Sequence, residues 1–215
     1  MIEIEKEQMR KRVPKMLEAL KKKNFDAHFF ETAKEARDFI TGLVQPGETA
    51  GFGGSVTLRQ ELGIVDALRD KGVTVYDHWD ANDDPPRRLE LKRKQRGVDV
   101  FLTSMNAVTI DGVLVNLDGG GNRVASTCSG PKRVIVVVGA NKVVENLDAA
   151  IHRTRHHASP LNAIRLGRET PCAETGTCND CSAPQRICAM LLIMYKKPGD
   201  IDKFTVVLVN DEMGY

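Results

Sequence analysis

Apolar positions along this chain recur at helical spacing in some stretches and run unbroken in others, and the two patterns alternate. Met9, Val13, Met16, Leu17 and Leu20 share one helical face across residues 4–23, with Pro14 as a kink or restart. Lys21, Lys22 and Lys23 close that helix as a solvated basic end that suits its dipole. Ala27 to Phe30 reads as a short strand, and Thr32 and Glu35 form a capping box for a helix whose face is Ala33, Ala36, Phe39, Ile40 and Leu43. Thr49 to Phe52 is a strand that runs into Gly53-Gly54-Ser55 and then into a helix carrying Leu58, Leu62, Val65 and Leu68.

The alternation continues to the end of the chain. Val73 to Tyr76 is a strand, and Asp83-Asp84-Pro85-Pro86 supplies an N-cap and a proline start for a basic helix, RRLELKRKQR, whose six cations spread around it as a solvated surface would. Asp99 to Thr103 and Val113 to Leu117 are strands, the second entered through the turn pair Asp111-Gly112. Arg133 to Val138 is β-branched without alternation, which marks a central strand covered on both faces. Asn146 caps a helix with Leu147, Ala150, Ile151, Thr154 and Ala158 on its face, and Ile187 to Tyr195 and Phe204 to Val209 are the last apolar runs. Strand and helix in alternation predict an α/β fold, Rossmann-like, with a largely parallel sheet and right-handed crossovers. No repeat or low-complexity stretch divides residues 1–215, so one domain with a cysteine-rich insertion at 170–188 is expected.

Composition narrows the function classes. The 215 residues are 41% hydrophobic and 28% charged, enough for a packed core, and a formal net charge of +2 with 5% aromatics argues against nucleic-acid binding. No apolar run approaches a membrane span, and the N-terminal MIEIEKEQMRKR does not read as a secretory signal, so a cytoplasmic protein is expected.

Three segments carry candidate chemistry. In GFGGSVT, the amides of Gly53 and Gly54 and the hydroxyls of Ser55 and Thr57 lie between a strand and a helix, where an anion is well held. The glycine spacing is neither a Walker A loop nor a dinucleotide fingerprint, since no Lys-Ser/Thr follows and no acidic residue closes the next strand in the usual place; a tight turn without ligand is the competing reading. The second segment, residues 104–142, offers Asn106, Asn116, Gly120, Gly121, Asn122, Arg123 and Lys142 as ligand-binding candidates, Arg123 as a bidentate clamp for a carboxylate or phosphate. Here the competing reading is a tight glycine connection in which Arg123 pairs with Asp118.

The third segment is C-x5-C-x2-C-x6-C. Cys172, Cys178, Cys181 and Cys188 can close around one metal, either as tetrahedral zinc or as a four-iron cluster, ahead of disulfides in a reducing cytosol. Cys128 stands apart as a small packed side chain, His152, His156 and His157 read as exposed helix residues, and Asp111 as an ordinary turn residue.

NAVTIDGVLVNLDGGGNRV, GPKRVIVVVGANKVVENLDAAIHRTR and TPCAETGTCNDCSAPQRIC together resemble the LUD-domain family of lactate-utilisation proteins across essentially the whole chain. The resemblance implies a fold like that of ribose-5-phosphate isomerase, glucosamine-6-phosphate deaminase and the CoA transferases, with the GFGGS turn beside the anionic end of a substrate. It also implies a small anionic metabolite, an iron–sulfur or oxidoreductase partner protein and a homodimer, and it favours the iron–sulfur cluster over zinc. An isomerase-like or acyl-transfer enzyme acting on a sugar phosphate or CoA ester with structural zinc, and a non-catalytic assembly subunit, are the alternatives.

Overall fold

The computed structural model describes residues 1–215. Its strands are β1 (Asp26–Phe30), β2 (Thr49–Phe52), β3 (Thr74–Asp77), β4 (Val100–Ser104), β5 (Ala107–Thr109), β6 (Leu114–Asp118), β7 (Arg133–Gly139), β8 (Val143–Val144), β9 (Met190–Met194) and β10 (Lys203–Val209). Six of them form a sheet in the order β1-β10-β7-β4-β2-β3, parallel throughout. The α/β class with a largely parallel sheet is therefore the observed one.

Both faces of this sheet are buried. Helix α1 (Glu3–Lys22) sets Met9, Val13, Met16 and Leu20 against Val134, Val136 and Val138. Helices α2 (Ala33–Leu43) and α3 (Ile64–Asp70) cover the opposite face, where Ile40 and Leu68 share a cluster with Ile135 and Val137. Successive residues of β7 thus feed opposite cores, which is why its sequence shows no polar alternation. Thr32 caps α2 with the expected reciprocal pair: its hydroxyl accepts from the Glu35 N–H at 3.2 Å, and its own N–H donates to the Glu35 carboxylate at 3.0 Å.

Three features depart from the sequence expectation. The helix expected across Leu58 to Leu68 is divided into a π-turn at Thr57–Glu61 and α3, because Gly63 takes a left-handed conformation, φ +59°. Strand β3 runs one residue further than expected and ends on Asp77, whose carboxylate accepts from Trp79 N–H at 3.0 Å and pairs with Arg59. The run Ile187 to Tyr195 supplies β9 to a second, mostly antiparallel sheet, β8-β5-β6-β9, so the candidate glycines after β6 leave this smaller sheet.

Sequential order reverses between β2 and β4. The chain leaves β2 outward to β3 and returns across it to β4, whose far neighbour is β7. In an open α/β sheet such a switch point leaves a crevice at the carboxyl edge.

Candidate anion-binding cleft

A cleft of about 820 Å³ lies at that crevice. Its floor comes from the turns after β2 and β4, with Gly53 to Thr57 on one side and Ser104 to Asn106 on the other. Gly53 packs so tightly on β4 that an added Cβ would stand 2.5 Å from Thr103 Oγ1. The N–H groups of Gly54, Ser55 and Val56 have no acceptor within the chain, whereas the Ser55 hydroxyl accepts from Leu58 N–H at 3.3 Å. The turn therefore presents a row of free donors at the cleft.

A second wall is the loop after β6. Asp118 organises it: one carboxylate oxygen accepts from Arg123 and Val124 N–H at 2.9 and 3.1 Å, the other from Gly120 N–H at 3.2 Å. These bonds cap α5 (Asn122–Cys128) from outside, with Gly121 in the left-handed region at φ +77°. The Arg123 guanidinium donates to the Leu117 carbonyl, not to Asp118, and its burial lowers its pKa. Asp118 thus holds the backbone and leaves the arginine head without a carboxylate partner.

The third wall is a long helix, α6 (Leu147–Arg153) and α7 (Ser159–Arg165), joined by a second π-turn at Thr154–Ala158. The extra residue in this turn brings Ala158, Ser159, Asn162 and Arg165 along the cleft.

Nine of the eleven ligand-binding candidates line this cleft: Gly53, Gly54, Ser55, Thr57, Asn106, Gly120, Asn122, Arg123 and Lys142. Asn116 and Gly121 do not. Asn116 is wholly buried below, donating to the Ser104 carbonyl at 3.2 Å, and Gly121 serves the turn into α5. Asn106 has a structural role as well, its side-chain oxygen accepting from Leu117 N–H at 2.8 Å.

Several lining residues are not among the sequence candidates. Helix α4 (Pro85–Lys94) is not simply a solvated surface: Arg88 and Lys92, one turn apart, face the cleft, and Lys92 Nζ would lie 3.3 Å from a Cβ on Gly120. Burial lowers the pKa of Lys92. Arg165, Arg168 and Arg186 complete the cationic lining, so the cleft holds seven basic side chains and one acidic one, Asp118. His78 also lines it; burial first, then Lys92 and Arg88, press its pKa down to about 4, and Gln95 Nε2 stands 3.2 Å from its Nδ1. Trp79 lies between Arg59 and Arg165, 5.3 and 5.5 Å from its ring centre. The i, i+4 spacing of Arg88 and Lys92 was visible in the sequence, but its direction depends on how α4 docks.

Lys142 is the most enclosed cation by exposure, at 4%, and the Glu61 carboxylate acts on it only at a distance, opposing the drop in its pKa. Its Nζ donates to Ser104 Oγ at 3.0 Å, and burial brings its pKa down to about 7.

The cysteine segment borders the same cleft. Pro184 to Ile187 line it, while α8 (Pro171–Thr175) carries Cys172 at the other end. All four thiols are free, Cys172 buried and the others half-buried. Burial raises the Cys188 thiol, and the nearby Cys178 and Cys172 raise it further, opposed by Arg186. Nevertheless no three His, Cys, Asp or Glu side chains converge tightly enough to hold a metal ion. The donor set has the right chemistry and the arrangement is open: residues 177–189 contain no helix or strand, and Arg186 donates to the Cys181 and Cys188 carbonyls. Cys128 is half-buried against the core, which raises its thiol pKa. His152 and His156 are exposed and stacked, 4.5 Å apart, and Asp111 accepts from the Thr109 hydroxyl within its turn.

A family model described as LUD domain matches residues 13–209. The crystal structure of a DUF162 family protein from Deinococcus radiodurans is similar at TM-score 0.50 and 12% identity, over 93% of this chain and 97% of that one. Ribose 5-phosphate isomerase from Plasmodium falciparum is similar over 52% of each chain, with 18% identity and TM-score 0.35. Ribose 5 phosphate isomerase A from Neisseria gonorrhoeae matches over 54% of each chain, at 16% identity and TM-score 0.36. No curated protein matches the chain.

Proposed function

The chain belongs to the LUD domain family, and from that premise we propose that it serves lactate or small-carboxylate utilisation, its cleft binding an anionic metabolite or the anionic face of an electron-transfer partner. One observation carries this reading: seven cationic side chains against one carboxylate, around a row of unpaired amides. Burying like charges together is unfavourable unless a ligand of opposite charge joins them. The free amides of Gly54 to Val56, the Arg123 head and Lys92 supply short-range donors, and the remaining arginines supply field.

Thermal-shift and calorimetric titration with L-lactate, ribose 5-phosphate, CoA and inorganic diphosphate tests the reading. A stabilising ligand is expected, and Arg123→Ala should weaken it by roughly ten- to a hundredfold, as for a lost charge-assisted hydrogen bond. Failure of all four to stabilise the protein, or equal binding by Arg123→Ala, counts against it.

The four cysteines are the second part of the proposal. Cys172, Cys178, Cys181 and Cys188 are the residues that would hold a four-iron cluster, or zinc in its place, after closure of residues 177–189 around it. A bound cluster supplies one-electron transfer; Arg186 bridges this segment and the cleft, since its guanidinium donates to the Cys181 carbonyl and it also lines the cavity.

A further inference from the structure

We propose that Ser104 and Lys142 form a nucleophile and base pair that cleaves the acyl ester or thioester of an anionic carrier molecule bound in the cleft. The inference rests on the anion-binding reading and adds a reaction to it.

Ser104 ends β4 at the switch point of the sheet, and Lys142 follows β7, the neighbouring strand. Both side chains line the cleft while being almost wholly buried, and Nζ stands 3.0 Å from Oγ. Among the serines lining the cleft, Ser104 alone has an amine partner: the Ser55 hydroxyl serves Leu58 N–H, and the Ser159 hydroxyl donates to the Thr154 carbonyl at 2.7 Å. The Ser104 hydroxyl donates only at 3.3 Å, to the Met105 carbonyl, so its proton is weakly held. A buried lysine without a carboxylate partner is costly to keep charged, and its pKa near 7 leaves a large neutral fraction able to take a proton at neutral pH.

The other parts of an acyl-transfer site are present. Gly53 N–H donates to the Leu102 carbonyl at 3.0 Å, a register that sets the free amides of Gly54 to Val56 next to the end of β4. Such donors stabilise the oxyanion of a tetrahedral intermediate. The cationic lining holds the charged remainder of the substrate and so supplies binding energy away from the reacting carbon.

The chemistry balances without another reagent. Ser104 Oγ bonds to the acyl carbon as Lys142 Nζ takes the hydroxyl proton. The carbon–sulfur or carbon–oxygen bond then breaks, and Lys142 returns that proton to the leaving thiolate or alkoxide. Water attacks the acyl-serine, Lys142 receives its proton, and the carboxylic acid departs as Ser104 is reprotonated.

A fluorophosphonate probe tests this on the full chain, because an activated serine displaces its fluoride and retains the phosphonyl mass. Intact mass and peptide mapping should show one label, on Ser104. Its rate should rise with pH up to about 7 and level above that value. Lys142→Met, matched in length and apolar, should slow labelling by roughly a hundredfold or more, with its fold checked by circular dichroism. Inorganic diphosphate stabilisation of the unmodified protein is measured beside it. Diphosphate binding without labelling at pH 8.5 overturns the nucleophile and leaves the anion cleft standing; labelling while diphosphate, L-lactate, ribose 5-phosphate and CoA all fail to stabilise the protein does the reverse. Labelling at another residue, a pH-independent rate, or an unslowed Lys142→Met also overturns the pair.

Discussion

Gly119 lies against the backbone of Ile187 so closely that a Cβ on the glycine would stand 2.8 Å from the Ile187 carbonyl oxygen. The contact joins the loop after β6 to the cysteine segment, and the Ala189 N–H donation to the Asp118 carbonyl at 3.0 Å fastens the same seam. The loop that positions Arg123 and the segment that positions Arg186 are consequently one unit.

Gly119→Ala should force that seam apart, because the obstructing atom is backbone and has no rotamer to escape into. We expect a loss of roughly 1–3 kcal/mol in urea unfolding, as for other overpacked sites. Limited proteolysis should also nick residues 177–189 faster than in the native protein. An unchanged urea midpoint would show that the seam yields freely.

Arg88→Ala together with Lys92→Ala should weaken anion binding and flatten its dependence on salt. The two cations are one turn apart on α4 and both line the cleft, so removing them lowers the field felt by every ligand there. Titrating diphosphate at two ionic strengths reads the effect; the double variant should lose the larger part of its affinity at the lower salt, where screening is weakest. An unaltered salt slope would remove α4 from the site.

Much of this arrangement was legible in the chain. Val134 to Val138 announces a doubly covered strand because every residue is apolar and β-branched, and the Thr32 and Glu35 pair announces a helix start because both halves of the capping box are local. Each glycine turn was legible as the end of a strand, but that the turn after β2 and the turn after β6 meet depends on how the second sheet docks, which no local pattern records. Arg88 and Lys92 were hidden for the opposite reason: α4 buries only Leu91, so its sequence has too little apolar periodicity to tell which cations turn inward. The two π-turns depend on tertiary packing, and neither Thr57–Glu61 nor Thr154–Ala158 has a local signal that separates it from α-helix. His78 was missed because its pKa is set by burial beside Gln95, Lys92 and Arg88, all remote in sequence or carried on another element.

Stability should fall as the pH drops from about 6.5 toward about 4, in part through His78. Its folded pKa of about 4 lies below the ordinary histidine value of about 6.5, so in this window the unfolded chain takes up a proton that the folded chain refuses. The slope from one such group is at most about 1.4 kcal/mol per pH unit. His78→Gln should flatten the curve of urea midpoint against pH over that window and leave it unchanged above pH 7. A variant with the native slope would assign the acid sensitivity to other groups.

The cysteine proposal predicts a structural change as well as a bound metal. In the structure the four thiols are free and do not converge, while Cys178 and Cys172 lie near enough to raise the Cys188 thiol. Thiolates drawn together repel one another unless a cation holds them, and a segment without helix or strand has little other reason to close. Anaerobic reconstitution of the full chain with iron and sulfide should therefore give a broad absorbance near 400 nm and protect residues 177–189 from protease. Zinc alone should protect the segment without colour. Cys178→Ser should abolish both effects, and Cys128→Ser, half-buried against the core, should abolish neither. Because Pro184 to Ile187 line the anion cleft, metal loading should also shift the affinity for diphosphate by moving Arg186. Less than about a tenth of an equivalent of iron and zinc together after reconstitution would end the metal reading, since four thiolate ligands bind structural zinc with apparent free energies of roughly 10–16 kcal/mol wherever they can close.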